Sequence, residues 1–367
     1  DGTIAISWFH GIAEKSPDSR ILWSRRTAQA WSAPEILYDD PALAEGNSTL
    51  WVHENGDVLL FFVNVVGNGW AQARMRMIRS TDHGKTWSAP VTLFDQDCWM
   101  LRYPPVRLKS GELFLPAYVE CLALPSFVRS KDDFSTWKVE EKWKEGNWLL
   151  DHVGAIQPSL VRLANDDLSI ICRDGTPRHR ITRSTSGPDG KTWTPGVALN
   201  LPNPGAAAAQ VRLANGHVVV VFNNSPTTRS PIAAALSEDD GKTFVAIRTI
   251  RAGDCADDEC SYPAVVQAKD ASIWVSFTHN RKSIAWAHFN EAWVRAGTEV
   301  ANITCLNDEA CRAGQCYPKC TAPADCTGGA TCVDGACRSS CETAACPAGA
   351  TCGAGKLCVT KVLARCQ

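Results

Sequence analysis

Arginine, tyrosine and histidine recur in this chain where strands are expected to end, and together these residue types can hold an anionic group and move a proton. Arg102-Tyr103, Arg173 followed by Arg178 and Arg180, Arg229, Tyr262, and the histidines His10, His152 and His279 all stand at or near such ends. A guanidinium fork matches a carboxylate bidentately. Neutralising a carboxylate acidifies the C–H proton beside it, which a Tyr or His can then remove. Arg102, Tyr103, Arg173, His152 and Tyr262 could supply such an elimination set, with Gln157 as a hydrogen-bonding residue. For any one of these side chains alone the alternative is a solvated or packing role. Arg173 and Arg229, however, fall at equivalent loop ends of successive repeats.

Those positions are set by a repeat. Ser80-Thr81-Asp82-His83-Gly84-Lys85-Thr86-Trp87 reads S-x-D-x-G-x-T-W, and degraded copies start at residues 24, 130, 186 and 237, at intervals of 56, 50, 56 and 51. A period near fifty that holds several strands means a propeller or an array. Asp followed by Gly makes a tight turn, and the Trp can pack between neighbouring sheets, so Asp82 reads as a turn residue rather than a catalyst. Segments such as Leu59-Leu60-Phe61-Phe62-Val63 and Leu168-Ser169-Ile170-Ile171-Cys172 read as strands, and helical periodicity is nearly absent. Six four-stranded blades are the simplest account. The first repeat is one strand short; that strand is expected either before Asp1 or from the tail end of the sixth blade.

Composition divides the 367 residues in two, because twelve of the 17 cysteines lie between Cys305 and Cys366. The expected division is a globular body over residues 1–296 and a cysteine-rich tail over 297–367. The tail has few large apolar residues, so cross-links must replace a core. Its cysteines run in three sets of four: Cys305, Cys311, Cys316, Cys320; Cys326, Cys332, Cys337, Cys341; Cys346, Cys352, Cys358, Cys366. With no C-x-x-C pair and no histidine there, disulfides are expected rather than a metal, in a connectivity that spacing leaves open. In the body, Cys255 and Cys260 are close enough to bridge, Cys98 could meet Cys121, and Cys172 is the odd thiol, expected free and structural.

Such cysteine usage implies an oxidising compartment, hence a secreted or cell-surface protein, and a first residue other than Met fits a processed chain. The longest apolar runs, such as Val218 to Phe222, are strand-sized, so no membrane span is expected. A formal net charge of −2 with scattered Lys and Arg argues against a nucleic-acid partner. Asn47-Ser48-Thr49 and Asn302-Ile303-Thr304 match a glycosylation sequon.

The S-x-D-x-G-x-T-W copies match the Asp-box of sialidase-like propellers. Together with Trp8-Phe9-His10-Gly11, Ile156-Gln157-Pro158-Ser159 and Cys260-Ser261-Tyr262-Pro263, they make residues 1–296 resemble the BNR-repeat sialidase-like family. The resemblance implies an all-β, six-bladed propeller acting on an acidic glycan. It further implies three arginines on the substrate carboxylate, a Tyr nucleophile activated by a Glu, and an Asp acid/base. Carried over, Arg173 and Arg229 resemble the second and third arginines, Tyr262 the nucleophile, and Asp18 the acid/base. The pattern departs at two places: no Arg-Ile-Pro supplies the first arginine, and Gln157 stands where the activating Glu is expected. An amide cannot take a phenolic proton, though Glu145 could substitute from the preceding loop. The resemblance puts hydrolysis of a sialic-acid-type sugar first, with uronate elimination and non-catalytic glycan binding as alternatives. No cofactor or metal is implied, and the tail could tether the protein to a cell surface or a protein partner.

Overall fold

A computed structural model describes residues 2–27, 30–140, 154–255, 259–303, 305–312, 315–327, 329–342, 346, 350–353, 356–360 and 364–366. The chain builds a six-bladed β-propeller from consecutive antiparallel sheets. Blade 1 holds Ile4–His10, Arg20–Arg26 and Glu35–Tyr38; blade 2 holds Ala44–Val52, Val58–Val65, Ala73–Ser80 and Val91–Phe94. Blade 3 runs from a split inner strand (Trp99–Leu101 and Val106–Arg107) through Leu113–Val119 and Leu124–Ser130 to Lys138–Glu140. Blade 4 comprises Ala155–Arg162, Leu168–Asp174, Arg180–Ser186 and Val197–Pro202, and blade 5 comprises Ala209–Arg212, Val218–Asn223, Ile232–Ser237 and Ala246–Arg251. Blade 6 has Cys260–Gln267, Ile273–His279 and Ser283–Phe289, followed by the short helix Glu291–Arg295.

Blades 1 and 6 therefore have three strands each among the described residues, not the expected four. After blade 6 the chain turns helical because Asn290 caps the turn, its side chain accepting the Trp293 N–H. Nor does the segment beyond that helix supply a strand to blade 1. Its strand Ala301–Ile303 pairs in parallel with Ala364–Cys366 at the end of the tail. No helix among the described residues is long and apolar enough to cross a membrane.

Strand composition follows from burial. Val58–Val65 is an unbroken apolar run but for Asn64, because both of its faces are covered. Leu60 and Phe62 pack with Ile21, Trp23 and Leu37 of blade 1. Leu59, Phe61 and Val63 pack the other way, with Trp99, Leu101, Leu113 and Leu115 of blade 3.

The repeated turn closes on itself. Ser80 Oγ accepts the Gly84 N–H at 2.7 Å and donates to Asp82, which in turn accepts the Thr86 N–H at 2.8 Å and the Thr86 hydroxyl at 2.7 Å. The same bonds recur in Ser130-Asp132-Thr136 and in Ser237-Asp239-Thr243. The Thr hydroxyl and amide hold the carboxyls of Asp82 and Asp132 below the usual carboxylate range. The Trp that ends each turn packs on the blade before it. Trp87 meets Trp23 edge-on at 5.8 Å, Trp137 donates to the Leu93 carbonyl at 2.6 Å, and Trp193 stacks on Phe127 at 5.1 Å.

Contacts divide the chain into two compact units that share blade 4: residues 1–172 with 184–196, and residues 173–183 with 197–367. The second unit includes the tail. All twelve tail cysteines are bridged, as Cys305–Cys316, Cys311–Cys366, Cys320–Cys332, Cys326–Cys337, Cys341–Cys352 and Cys346–Cys358. The sets of four therefore begin one cysteine earlier than their order in the chain suggests, at Cys320 and Cys341. The first set borrows Cys366 as its fourth member. Each set carries a small hairpin, Glu309–Arg312 with Gln315–Pro318 being the first. That hairpin meets blade 4 through Arg180, only 1% exposed, which donates a hydrogen bond to Glu309 Oε1 at 3.2 Å and ion-pairs with Glu309 Oε2 at 3.0 Å. In the body Cys98–Cys121 and Cys255–Cys260 are bridged, and Cys172 is buried and in no disulfide.

Candidate functional site

The inner strands of the blades do not run straight. In blade 2 Gly46 faces Val63 and Thr49 faces Phe61, so Asn47 and Ser48 together oppose one residue. In blade 6 Ser261 faces Thr278 and Ala264 faces Ser276, leaving Tyr262 and Pro263 in the same position. Blade 3 is interrupted between Leu101 and Val106, where Arg102 and Tyr103 sit. Asn47, Gln157 and Tyr262 all have left-handed backbones, with φ of 46°, 56° and 55°. For a residue with a Cβ that conformation costs of order 1 kcal/mol. A bulge breaks the in-and-out alternation of a strand and re-aims its side chain. Arg102 with Tyr103, and Tyr262, all singled out by chemistry, thus occupy the irregular positions of two inner strands.

In the first unit these positions converge on Tyr118, which is 1% exposed. Asn47 Nδ2 donates to the Tyr118 oxygen at 3.1 Å, and the Gln157 side chain also bonds it. Burial, with Glu120 adding to it, raises the phenol well above its ordinary value. Gln157 is 6% exposed, and its Oε1 has no partner. The Arg102 guanidinium lies 5.5 Å from the ring centroid of the buried Tyr103.

Asp18 lies in the loop between the first two strands. The Ser16 hydroxyl and the Ile12 amide, the latter at 3.0 Å, hold its carboxyl below the usual range. It is therefore a carboxylate at neutral pH, more apt to accept a proton than to donate one. His10 is exposed at the end of its strand. His152 and Glu145 lie outside the described residues.

In the second unit the cluster forms around Glu259, which is 8% exposed. Arg229 reaches its Oε2 at 3.4 Å, Arg281 reaches the same oxygen at 3.3 Å, and Ser261 Oγ donates to Oε1. Arg229 also donates to the Gly205 carbonyl at 3.2 Å, and its guanidinium carbon is 5.1 Å from the Tyr262 ring centroid. The backbone here is fixed at Cys260: its N–H donates to Arg229 O at 2.9 Å, its carbonyl accepts Asn223 Nδ2 at 2.7 Å, and its sulfur bridges Cys255.

Arg178 is tied elsewhere. It pairs at 2.9 Å with Asp174, whose fully buried carboxylate also accepts the Thr182 hydroxyl and the Thr176 N–H. Arg173, half-buried, has its Nε shielded from solvent with no partner. His279 is held by the Asp254 carbonyl at 3.0 Å.

Sequence reasoning missed four of these groups. Glu259, Arg281, Asn47 and Tyr118 carry no motif. Asn47 reads as a sequon, yet its amide is engaged inside the fold. A fifth is Glu45, fully buried beside the blade 2 bulge. It accepts from Asn64 Nδ2 at 2.7 Å and from the Asp40 N–H at 3.2 Å. Burial pushes its carboxyl up to about 8.

A propeller whose inner-strand irregularities carry arginines, tyrosines and amides is a scaffold for polar-ligand chemistry. The chain belongs to the BNR repeat-like domain family, which matches residues 2–275. It is 26% identical over 214 residues to a sialidase of Bacteroides fragilis, covering 53% of this chain and 38% of that relative's length. In fold it is similar to a Hadza microbial sialidase, with TM-score 0.66 and 17% identity over 80% of this chain and 64% of that one. It is also similar to the intramolecular trans-sialidase from Ruminococcus gnavus, with TM-score 0.64 and 13% identity over 81% of this chain and 94% of that one.

Proposed function

We propose that this propeller is a sialidase-type glycoside hydrolase that removes a terminal acidic sugar from a glycan outside the cell. The observation that carries the reading is the cluster at blade 6, where Arg229 lies over Tyr262 and shares Glu259 with Arg281. Two guanidinium groups on one carboxylate leave the cluster with a net positive charge, which favours an anionic sugar. The Tyr262 phenol, once its proton is taken, is the group able to attack an anomeric carbon. Glu259, three residues away in the same segment, is the carboxylate available to take the phenolic proton. The sialidase among the curated relatives supports this class, and eight disulfides among the described residues suit an oxidising compartment.

A second reading is favoured by Gln157, a neutral amide whose backbone is left-handed within its inner strand. Tyr262 could instead remove the C5 proton of a uronate whose carboxylate the arginines neutralise. The test is product analysis after incubation with sialylated glycoprotein and, separately, with uronate polysaccharides. Free sialic acid establishes hydrolysis, and ultraviolet absorbance from an unsaturated uronate establishes elimination. Binding on a glycan array with neither product leaves a lectin. If no acidic glycan binds, the arginine-pocket reading fails.

A further inference from the structure

We propose that Glu259 occupies the place of a ligand carboxylate in the free protein, and that an acidic sugar binds by taking the Arg281 guanidinium from it. The inference rests on the acidic-glycan reading above and adds a regulated step at the same site. Arg229 and Arg281 converge on one oxygen, Glu259 Oε2, at 3.4 and 3.3 Å. Both contacts are longer than the roughly 2.7–2.9 Å of a well-formed charge-assisted bond, and one shared oxygen does not fill either guanidinium fork. A carboxylate arriving with two oxygens of its own does better. The three groups together carry one net positive charge, so one further carboxylate neutralises them.

The members of the cluster differ in how firmly they are held. Arg229 is braced by the Gly205 carbonyl at 3.2 Å and by the Tyr262 ring. Glu259 has a second anchor at its other oxygen, Oε1, which accepts from the hydroxyl of the fully buried Ser261. Arg281 is the outer member: its side chain is 51% exposed, against 21% for Arg229 and 11% for Glu259. An ion pair with a half-exposed partner is cheap to break, and the exposed guanidinium is where a ligand arrives. Arg281 stands at the tip of the hairpin between Ile273–His279 and Ser283–Phe289, and Asn280 beside it donates its N–H to the Glu259 carbonyl at 2.7 Å. Asn280 and Arg281 have left-handed backbones, with φ of 55° and 52°, a conformation that glycine or asparagine usually supplies at a hairpin tip. The tip is thus tied to Glu259 by its backbone, and the Arg281 side chain can turn outward without moving it. When it turns, Glu259 stays on Ser261, and Arg229 stays over Tyr262.

The experiment is a double-mutant binding cycle. Affinities of wild type, Glu259→Gln, Arg281→Ala and the double variant for N-acetylneuraminic acid and for its methyl ester are measured by titration calorimetry, with circular dichroism confirming the fold. If Glu259 holds Arg281 about nine-tenths of the time, Glu259→Gln binds the acid about tenfold more tightly than wild type does, and the ester no more tightly. In the Arg281→Ala background the same substitution is expected to gain less than about twofold. Equal gains in both backgrounds mean that Glu259 acts only by repelling the ligand, and unchanged or weaker binding by Glu259→Gln means that it braces the arginines; either result overturns the proposal. Should Glu259→Gln not fold, a crystal structure of wild type with the acid bound decides. Arg281 on the ligand carboxylate and off Glu259 supports the exchange, and an intact contact between Arg281 and Glu259 overturns it. Failure of wild type and every variant to bind the acid overturns the acidic-glycan reading and this inference together, whereas binding without coupling overturns this inference alone.

Discussion

Arg229 holds its guanidinium carbon 5.1 Å from the centroid of the Tyr262 ring while its own charge is shared with Glu259 at 3.4 Å. The arginine thus serves two partners, and changing it should separate binding from chemistry. Arg229→Ala is expected to weaken acidic-sugar binding tenfold or more, about 1.4 kcal/mol, and to slow turnover. Tyr262→Phe, which keeps the ring and removes only the hydroxyl, should lose turnover with binding nearly intact. Steady-state kinetics beside calorimetric binding checks the pair. Equal loss of affinity in both variants would count against Tyr262 as nucleophile.

Glu45 gives a prediction in pH. Its folded carboxyl is raised to about 8 by burial, from an ordinary 4.5, so the folded state holds a proton that the unfolded state has released between those values. Stability must then fall as pH rises through that window, at up to roughly 1.4 kcal/mol per unit. The charge, once formed, lies near Asp39 and Asp40, which oppose it. Urea unfolding of wild type and Glu45→Gln from pH 5 to pH 9 checks this. The variant should lose most of the slope and be the more stable protein above pH 8.

Glu309→Ala should destabilise the second unit strongly. Arg180 is 1% exposed, and the substitution leaves its guanidinium buried without a counter-charge. Losses of about 3–5 kcal/mol are typical when one partner of a buried pair is removed. Replacing both residues with apolar ones, as Arg180→Met with Glu309→Leu, should recover much of that loss. Denaturant midpoints for the two variants decide whether the pair matters through its charge or its shape.

Cys172 is the one cysteine among the described residues that is in no disulfide, and it is buried. Alkylation without reduction should add a single label to the unfolded protein and none to the folded one. Intact-mass spectrometry reads both numbers. Three labels instead of one would mean that one of the bridges is absent, since each bridge holds two thiols.

The propeller was legible because its marker is local: Ser80, Asp82, Gly84 and Thr86 satisfy one another within seven residues, so composition alone reveals them. The same locality let Cys255 be paired with Cys260. The site was less legible because bulges assemble it. Nothing in the types or spacing of Asn47 and Tyr118 says that they meet across 71 residues. Glu259 and Arg281 were hidden for the same reason. Arg178, by contrast, looked like a pocket arginine, and its partner Asp174 four residues back was in view, but burial of that carboxylate cannot be read from sequence.

Closure of the tail has a consequence for how its length can vary. Cys320–Cys332 with Cys326–Cys337, and Cys341–Cys352 with Cys346–Cys358, are self-contained pairs of loops. Cys311–Cys366 and the parallel pairing of Ala301–Ile303 with Ala364–Cys366 instead join the two ends of the array, like the clasp of a bracelet. Beads between the ends can be duplicated or deleted as whole units while the clasp still fastens. Losing the last few residues opens it, although every bead keeps its own bridges.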